Sequence, residues 1–183
     1  IPTKNGKPIF SHLLDDTKSG WFCLVEKAFA KLNGSYSNIE SGFYSYSIYS
    51  LYGYYYEMLL IQPKKNLIYT QLDKYNEKQY YIDKITDYEK NGCIMDAAII
   101  PKYLTGITSE DLKQKGLIDC HSYLLLKTTK FNDNIFFLLR NPWGDFVWNG
   151  HYSKDSPLWT PELRKRLGTN LKSGEFWMID IDF

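Results

Sequence analysis

No stretch of this 183-residue sequence reaches the roughly 18 to 20 consecutive apolar residues that a bilayer-spanning helix needs. The first residues also lack the basic-then-apolar order of a signal peptide, so a soluble protein of the cytoplasm is expected. Cysteine is scarce. Cys23, Cys93 and Cys120 are odd in number, widely spaced and without a CxxC pair, which argues against both a disulfide framework and a thiolate zinc site. Neither sign of charge is in surplus: 22 Lys and Arg against 21 Asp and Glu leave a net charge of +1, with no electrostatic footprint for nucleic acid or an anionic membrane. Histidine is limited to His12, His121 and His151, so imidazole chemistry has few candidates. Aromatic residues, by contrast, are plentiful, and 16 are tyrosines. This richness reads as packing rather than as a binding surface. The length suits one domain with a core that needs no staples, and a first residue of Ile rather than Met is compatible with a piece of a longer protein.

The periodicity predicts an α+β chain. "KPIF", Lys7 to Phe10, reads as a short strand followed by a polar loop. Leu24, Val25, Ala28, Phe29 and Leu32 recur at helical spacing, which predicts a helix over about residues 21–33 with Ser19 as cap and Gly34 as stop. In "FYSYSIYSLYGYYY", from Phe43 to Tyr56, aromatic and serine positions first alternate and then run together. Its first half is expected to be loop and its second half helix. Residues 64–92 have weak periodicity and suit strands or a modest helix. "GCIMDAAII", Gly92 to Ile100, reads as a buried strand, and residues 101–116 as a loop with one helical turn. The strongest signal is a hairpin: "DCHSYLLLKTT" and "NIFFLLRNPWG" are apolar runs joined by "KFNDN", whose Asn and Asp form turns. "TPELRKRLG" reads as a helix with Pro161 near its start, and "EFWMIDIDF" as a closing strand.

The hairpin brings two residues of chemical interest together. His121 stands at the head of its first strand and Asn141 at the tail of its second, so in an antiparallel pair 20 positions of sequence become one side-chain contact. An imidazole held by an amide oxygen is the base half of a Cys-His-Asn constellation, in which the amide fixes the ring without adding charge. Trp143 is placed to shield that bond from water, while Pro142 and Gly144 end the strand and leave room for the indole. Taken singly, a His beside a strand, an Asn before Pro and a Trp more often serve packing and turns. His12 and His151 lack such a partner and read as surface or packing residues.

A nucleophile is harder to find. Neighbours on a strand point to opposite faces, so Cys120 should not pair with His121. Cys93 lies in an apolar run and is expected to be a buried, inert thiol. Cys23 sits in the first turn of a helix, where the dipole favours a thiolate, but "KSGWFCLVEKAFA" offers no tight preceding loop or oxyanion donor.

Read together, "WFCLVEKAFAKLNGSY", "GLIDCHSYLLL", "LLRNPWGDFVWNG", "SPLW" and "GEFWM" resemble the second half of the calpain protease core, in order and approximate spacing. The resemblance runs from about residue 7 to the end and is weakest over residues 43–92. It implies a papain-like cysteine protease half, an antiparallel sheet with flanking helices, residues 1–183 forming one subdomain. His121 would be the general base, Asn141 its orienter and Trp143 the flanking indole. The family's nucleophile belongs to a preceding subdomain, in a "GDCW"-like loop absent here, and position 23 is not catalytic. The implied function is the His/Asn half of an intracellular cysteine endopeptidase that works through an acyl-enzyme once joined to the Cys-bearing half. The implied partners are that half and protein or peptide substrates, not nucleic acid or a membrane span. By itself the chain should be inactive.

Departures from the family pattern accompany the resemblance. Cys120 stands where the family usually has Gly, and no "TGG"-like stretch is recognisable in the tyrosine-rich region. Calpains also bind calcium here through acidic side chains, which helps to align the indole and close the cleft. The matching positions are Val147, Lys154 and Ser173, so that site is expected to be lost, with Asp145, Asp155 and Glu175 nearby. No metal or cofactor is therefore expected. The alternative function is a non-catalytic calpain-like binding or scaffold module, and a third is an unrelated tyrosine-rich binding domain with a chance "NPWG" turn.

Overall fold

The computed structural model describes residues 2–10, 20–54, 56–59, 61, 77–100, 107–145 and 147–183. The chain forms two compact units, Ile1–Tyr56 and Glu57–Phe183.

In the first unit β1 (Thr3–Lys4) and β2 (Lys7–Pro8) make a small antiparallel hairpin. The strand expected over residues 7–10 is thus shorter, and the Phe10 ring instead stacks on Tyr36 with centroids 4.6 Å apart. α1 (Trp21–Leu32) follows the apolar spacing that predicted it. Ser19, its expected cap, lies outside the described residues; Gly20 takes the capping position without a side-chain bond. Asn33 closes the other end, its side-chain amide donating to Phe29 O at 2.8 Å. After a 3-10 turn at Ser37–Ile39 comes α2 (Tyr44–Tyr52). Here the structure corrects the sequence reading: the first half of the tyrosine-rich segment is the helix and the second half is not. The reason is Gly53, whose left-handed backbone (φ +70°) donates its N–H to Tyr49 O and stops the helix there.

The second unit is a layered α+β fold. α3 (Glu77–Lys90) precedes β3 (Met95–Ala98), α4 (Ser109–Gln114), β4 (Ser122–Phe131), β5 (Asn134–Arg140), α5 (Pro161–Leu167) and β6 (Glu175–Ile179). The four larger strands form one antiparallel meander in the order β3-β4-β5-β6. β4 and β5 turn through Asn132 and Asp133, with Asn132 left-handed, as the "KFNDN" segment predicted. One sheet face carries Tyr123, Leu125, Phe137, Leu139, Phe176 and Met178, packed against Ile82 and Ile85 of α3. The other presents Phe136, Trp177 and Ile179 to Leu163 and Leu167 of α5. α5 itself starts as its sequence suggests, with Thr160 accepting from Leu163 N–H and Pro161 at the first position.

A register shift in β4 between Leu125 and Lys127 sets which side chains share a face. Ahead of it, odd-numbered residues of β4 oppose odd-numbered residues of β5, so the face bearing Tyr123 and Leu125 continues onto Leu139. Beyond it the Thr128 N–H and hydroxyl both donate to Glu89, which ties α3 to the shifted strand. β3, by contrast, is an edge strand with alternating half-buried and exposed residues rather than a buried one. Cys93 precedes it and is exposed, correcting the expected buried thiol: the apolar run overstates burial because an edge strand is covered on one side only. Among the described residues no helix is long and apolar enough to cross a membrane.

Candidate active site

His121 is the last residue before β4 and Asn141 the first after β5, so the hairpin sets their backbones side by side on the α3-facing side of the sheet. His121 Nε2 and Asn141 Oδ1 are 2.8 Å apart. Asn141 is completely buried, and the chain itself decides which way its amide faces. Asn141 Nδ2 donates to the Asp145 backbone carbonyl, while Oδ1 accepts the Trp143 backbone N–H at 3.0 Å. Each of these backbone groups can play one role only, so the oxygen must face His121. Nε2 must then be the donor, and Nδ1 is left as the ring's proton acceptor.

"NPWG" is a turn as well as a site. Gly144 N–H donates to Asn141 O at 3.1 Å, and Asn141 N–H donates to Gly174 O at 2.9 Å, which prolongs the β5–β6 ladder by one step. Gly174, for which the sequence suggested no role, is essential to this approach. It is left-handed (φ +79°), and a Cβ there would lie 2.3 Å from Asn141 O. Ser173 Oγ donates to Gly144 O at 2.9 Å and ties the turn down from the same neighbouring segment.

The Trp143 indole lies beside His121, ring centroids 4.3 Å apart and tilted by 53°. It stays 63% exposed, so it walls one side of the imidazole while reaching solvent. A further neighbour went unnoticed in the sequence: Tyr123, buried, meets the His121 ring edge to face at 5.0 Å. Its hydroxyl accepts Ile118 N–H at 2.8 Å. Burial raises the Tyr123 pKa above the ordinary phenol value and outweighs that hydrogen bond, so the ring facing His121 is neutral.

Cys23 is buried in α1, and no disulfide joins the three cysteines. Cys120 has a left-handed backbone (φ +49°), its N–H donates to Ile99 O, and β4 begins only at Ser122. Strand alternation therefore does not govern the Cys120–His121 junction, contrary to the sequence argument. His151 Nδ1 is 2.8 Å from Asp182 Oδ2 on the surface, and His12 lies outside the described residues. The side chains at Val147, Lys154 and Ser173, where the resemblance places calcium ligands, and at nearby Glu175 do not make a set that suits a hard cation. Ser173 Oγ is committed to Gly144 O, and Glu175 Oε2 accepts Lys172 N–H. Val147 has no side-chain donor atom, and Lys154 brings a positive charge.

Residues 1–183 match the family model described as calpain family cysteine protease. The chain belongs to the calpain family. It is 34% identical to calpain-9 of Rattus norvegicus over 191 residues, and 30% identical to the calpain-2 catalytic subunit of Gallus gallus over 190. It is likewise 30% identical to the calpain-1 catalytic subunit of Bos taurus over 190 residues. Each alignment covers the whole chain but only about a quarter of the relative, 24–25% of its length.

Proposed function

We propose that residues 1–183 are the His/Asn-bearing part of the catalytic core of a calpain-like intracellular cysteine endopeptidase. The observation that carries this reading is the His121–Asn141 hydrogen bond, with an amide whose orientation is dictated by backbone groups at both of its ends. A ring so held keeps its proton on Nε2 and leaves Nδ1 as the base, the requirement for activating a thiol. A Cys outside this chain gives its proton to His121 Nδ1, and its sulfur attacks the peptide carbonyl carbon. The imidazolium returns that proton to the departing amine, leaving an acyl-enzyme. Nδ1 then takes a proton from water, whose oxygen attacks the acyl carbon, and the proton passes to the sulfur as it leaves. Asn141 holds the ring throughout, and Trp143 shields one side of it. Substrates are protein or peptide chains. Three cysteines with no disulfide among them support a reducing, intracellular setting.

The test is hydrolysis of a protein substrate by the full-length protein. His121→Ala is expected to abolish turnover, and Asn141→Ala to lower it by on the order of 100-fold, since misorientation is costly but leaves the base present. The 183-residue chain alone is expected to show no turnover. Undiminished activity in His121→Ala would overturn the assignment. An inactive full-length protein without a Cys in its nucleophile loop would favour a binding module instead.

A further inference from the structure

The hydrogen bond to Asn141 restrains one atom of the imidazole, Nε2, and a single restraint leaves the ring free to swing about it. Something else must fix the plane in which Nδ1 points. Trp143 is poorly suited to this alone, because its indole is 63% exposed and can move aside. Tyr123 is placed differently. It is buried within β4, and its phenol ring lies next to the imidazole. The two rings meet at 5.0 Å with planes at 90°.

Tyr123 is itself restrained from three directions. Its ring packs edge to face on Phe176 of β6 at 5.9 Å. Its backbone lies within the sheet, paired with Ala97. Its hydroxyl is fastened to Ile118 N–H, just beyond the buried Leu117. A wall held at its base, its face and its tip transmits the rigidity of the core to the imidazole.

We propose that Tyr123 is a positioning residue for His121, fixing the ring plane so that Nδ1 keeps one direction toward the substrate side. The inference rests on the reading of His121 as the base. Tyr123→Leu removes the flat wall while keeping an apolar core residue, and Tyr123→Phe keeps the wall while losing only the hydroxyl. In the full-length enzyme, Tyr123→Leu is expected to lower kcat by on the order of 10- to 100-fold with KM within about twofold, and Tyr123→Phe to recover most of the loss. Both are compared after thermal melts show folded protein. A purely structural Tyr123 would lower the melting temperature of Tyr123→Leu and leave kcat of the folded fraction unchanged, which would overturn the proposal. If Tyr123→Leu does not fold, long-range proton–nitrogen NMR of the wild-type protein decides. His121 is expected to show one tautomer, with the proton on Nε2, and a contact between its ring protons and those of Tyr123. Absence of that ring-to-ring contact would overturn it. His121→Ala separates the two claims: an active His121→Ala sinks the functional reading, whereas an inactive His121→Ala with unimpaired Tyr123→Leu sinks only this inference.

Discussion

At Asn141 both ends of a buried amide are in use, the nitrogen on Asp145 O and the oxygen on His121 and Trp143 N–H. Asn141→Asp is isosteric, yet it would set a carboxylate oxygen of a completely buried residue against the Asp145 carbonyl. It is expected to destabilise the fold by about 2 kcal/mol or more, read as a lower urea midpoint at unchanged m. Cys120 offers the opposite case. Its exposed side chain gains nothing visible from the left-handed backbone it occupies, a conformation costing roughly 1 kcal/mol in a residue with a Cβ. Cys120→Gly is therefore expected to raise the melting temperature by up to about 4 °C. The meeting of His121 with Asn141 was legible because hairpin pairing turns sequence separation into contact. The amide lock and Tyr123 were not, because each depends on groups whose positions only the folded turn and core determine.

The element carrying the site is a turn backed by a second turn. Gly174 sits against Asn141 O, and Ser173 holds Gly144, so the approach to β6 shapes the loop that bears Trp143. Gly174→Ala is expected to cost about 2 kcal/mol or more, because the new Cβ meets backbone that cannot retreat. The capping box of α4 gives a pH prediction. Hydrogen bonds from Thr108 hold the Asp111 carboxyl below its ordinary pKa, so the ionised form belongs to the folded helix. Its contribution is present above the unfolded value and is lost as pH falls through the lowered folded value. Amide exchange in α4 should quicken over that acidic window and lose this response in Asp111→Asn. Helix placement shows where sequence patterns fail: Tyr-Ser alternation in residues 43–50 imitates an extended segment, and the stop at Gly53 outweighs it.

For the whole molecule, the chain spans about a quarter of the calpains it matches, and the chemistry proposed here needs a thiol from elsewhere. Ser173, one of the three positions that the resemblance matches to the family's calcium ligands, has its hydroxyl committed to Gly144 O, and the nearby Glu175 carboxylate accepts Lys172 N–H. Calorimetry is expected to show no saturable calcium binding up to about millimolar concentration, with no rise in melting temperature. Micromolar binding lost in Glu175→Ala would contradict this. The family resemblance was legible because several of its motifs fall in the strands and turns that carry the site, whereas the exposed edge at Cys93 was hidden in an apolar run. The central claim is that His121 serves a thiol outside residues 1–183. Timed alkylation of the full-length protein, mapped by mass spectrometry, tests it most directly. The account predicts that the fastest-reacting Cys lies outside this chain and slows markedly in His121→Ala. A fastest thiol at Cys23, Cys93 or Cys120, or a rate indifferent to His121→Ala, would contradict it.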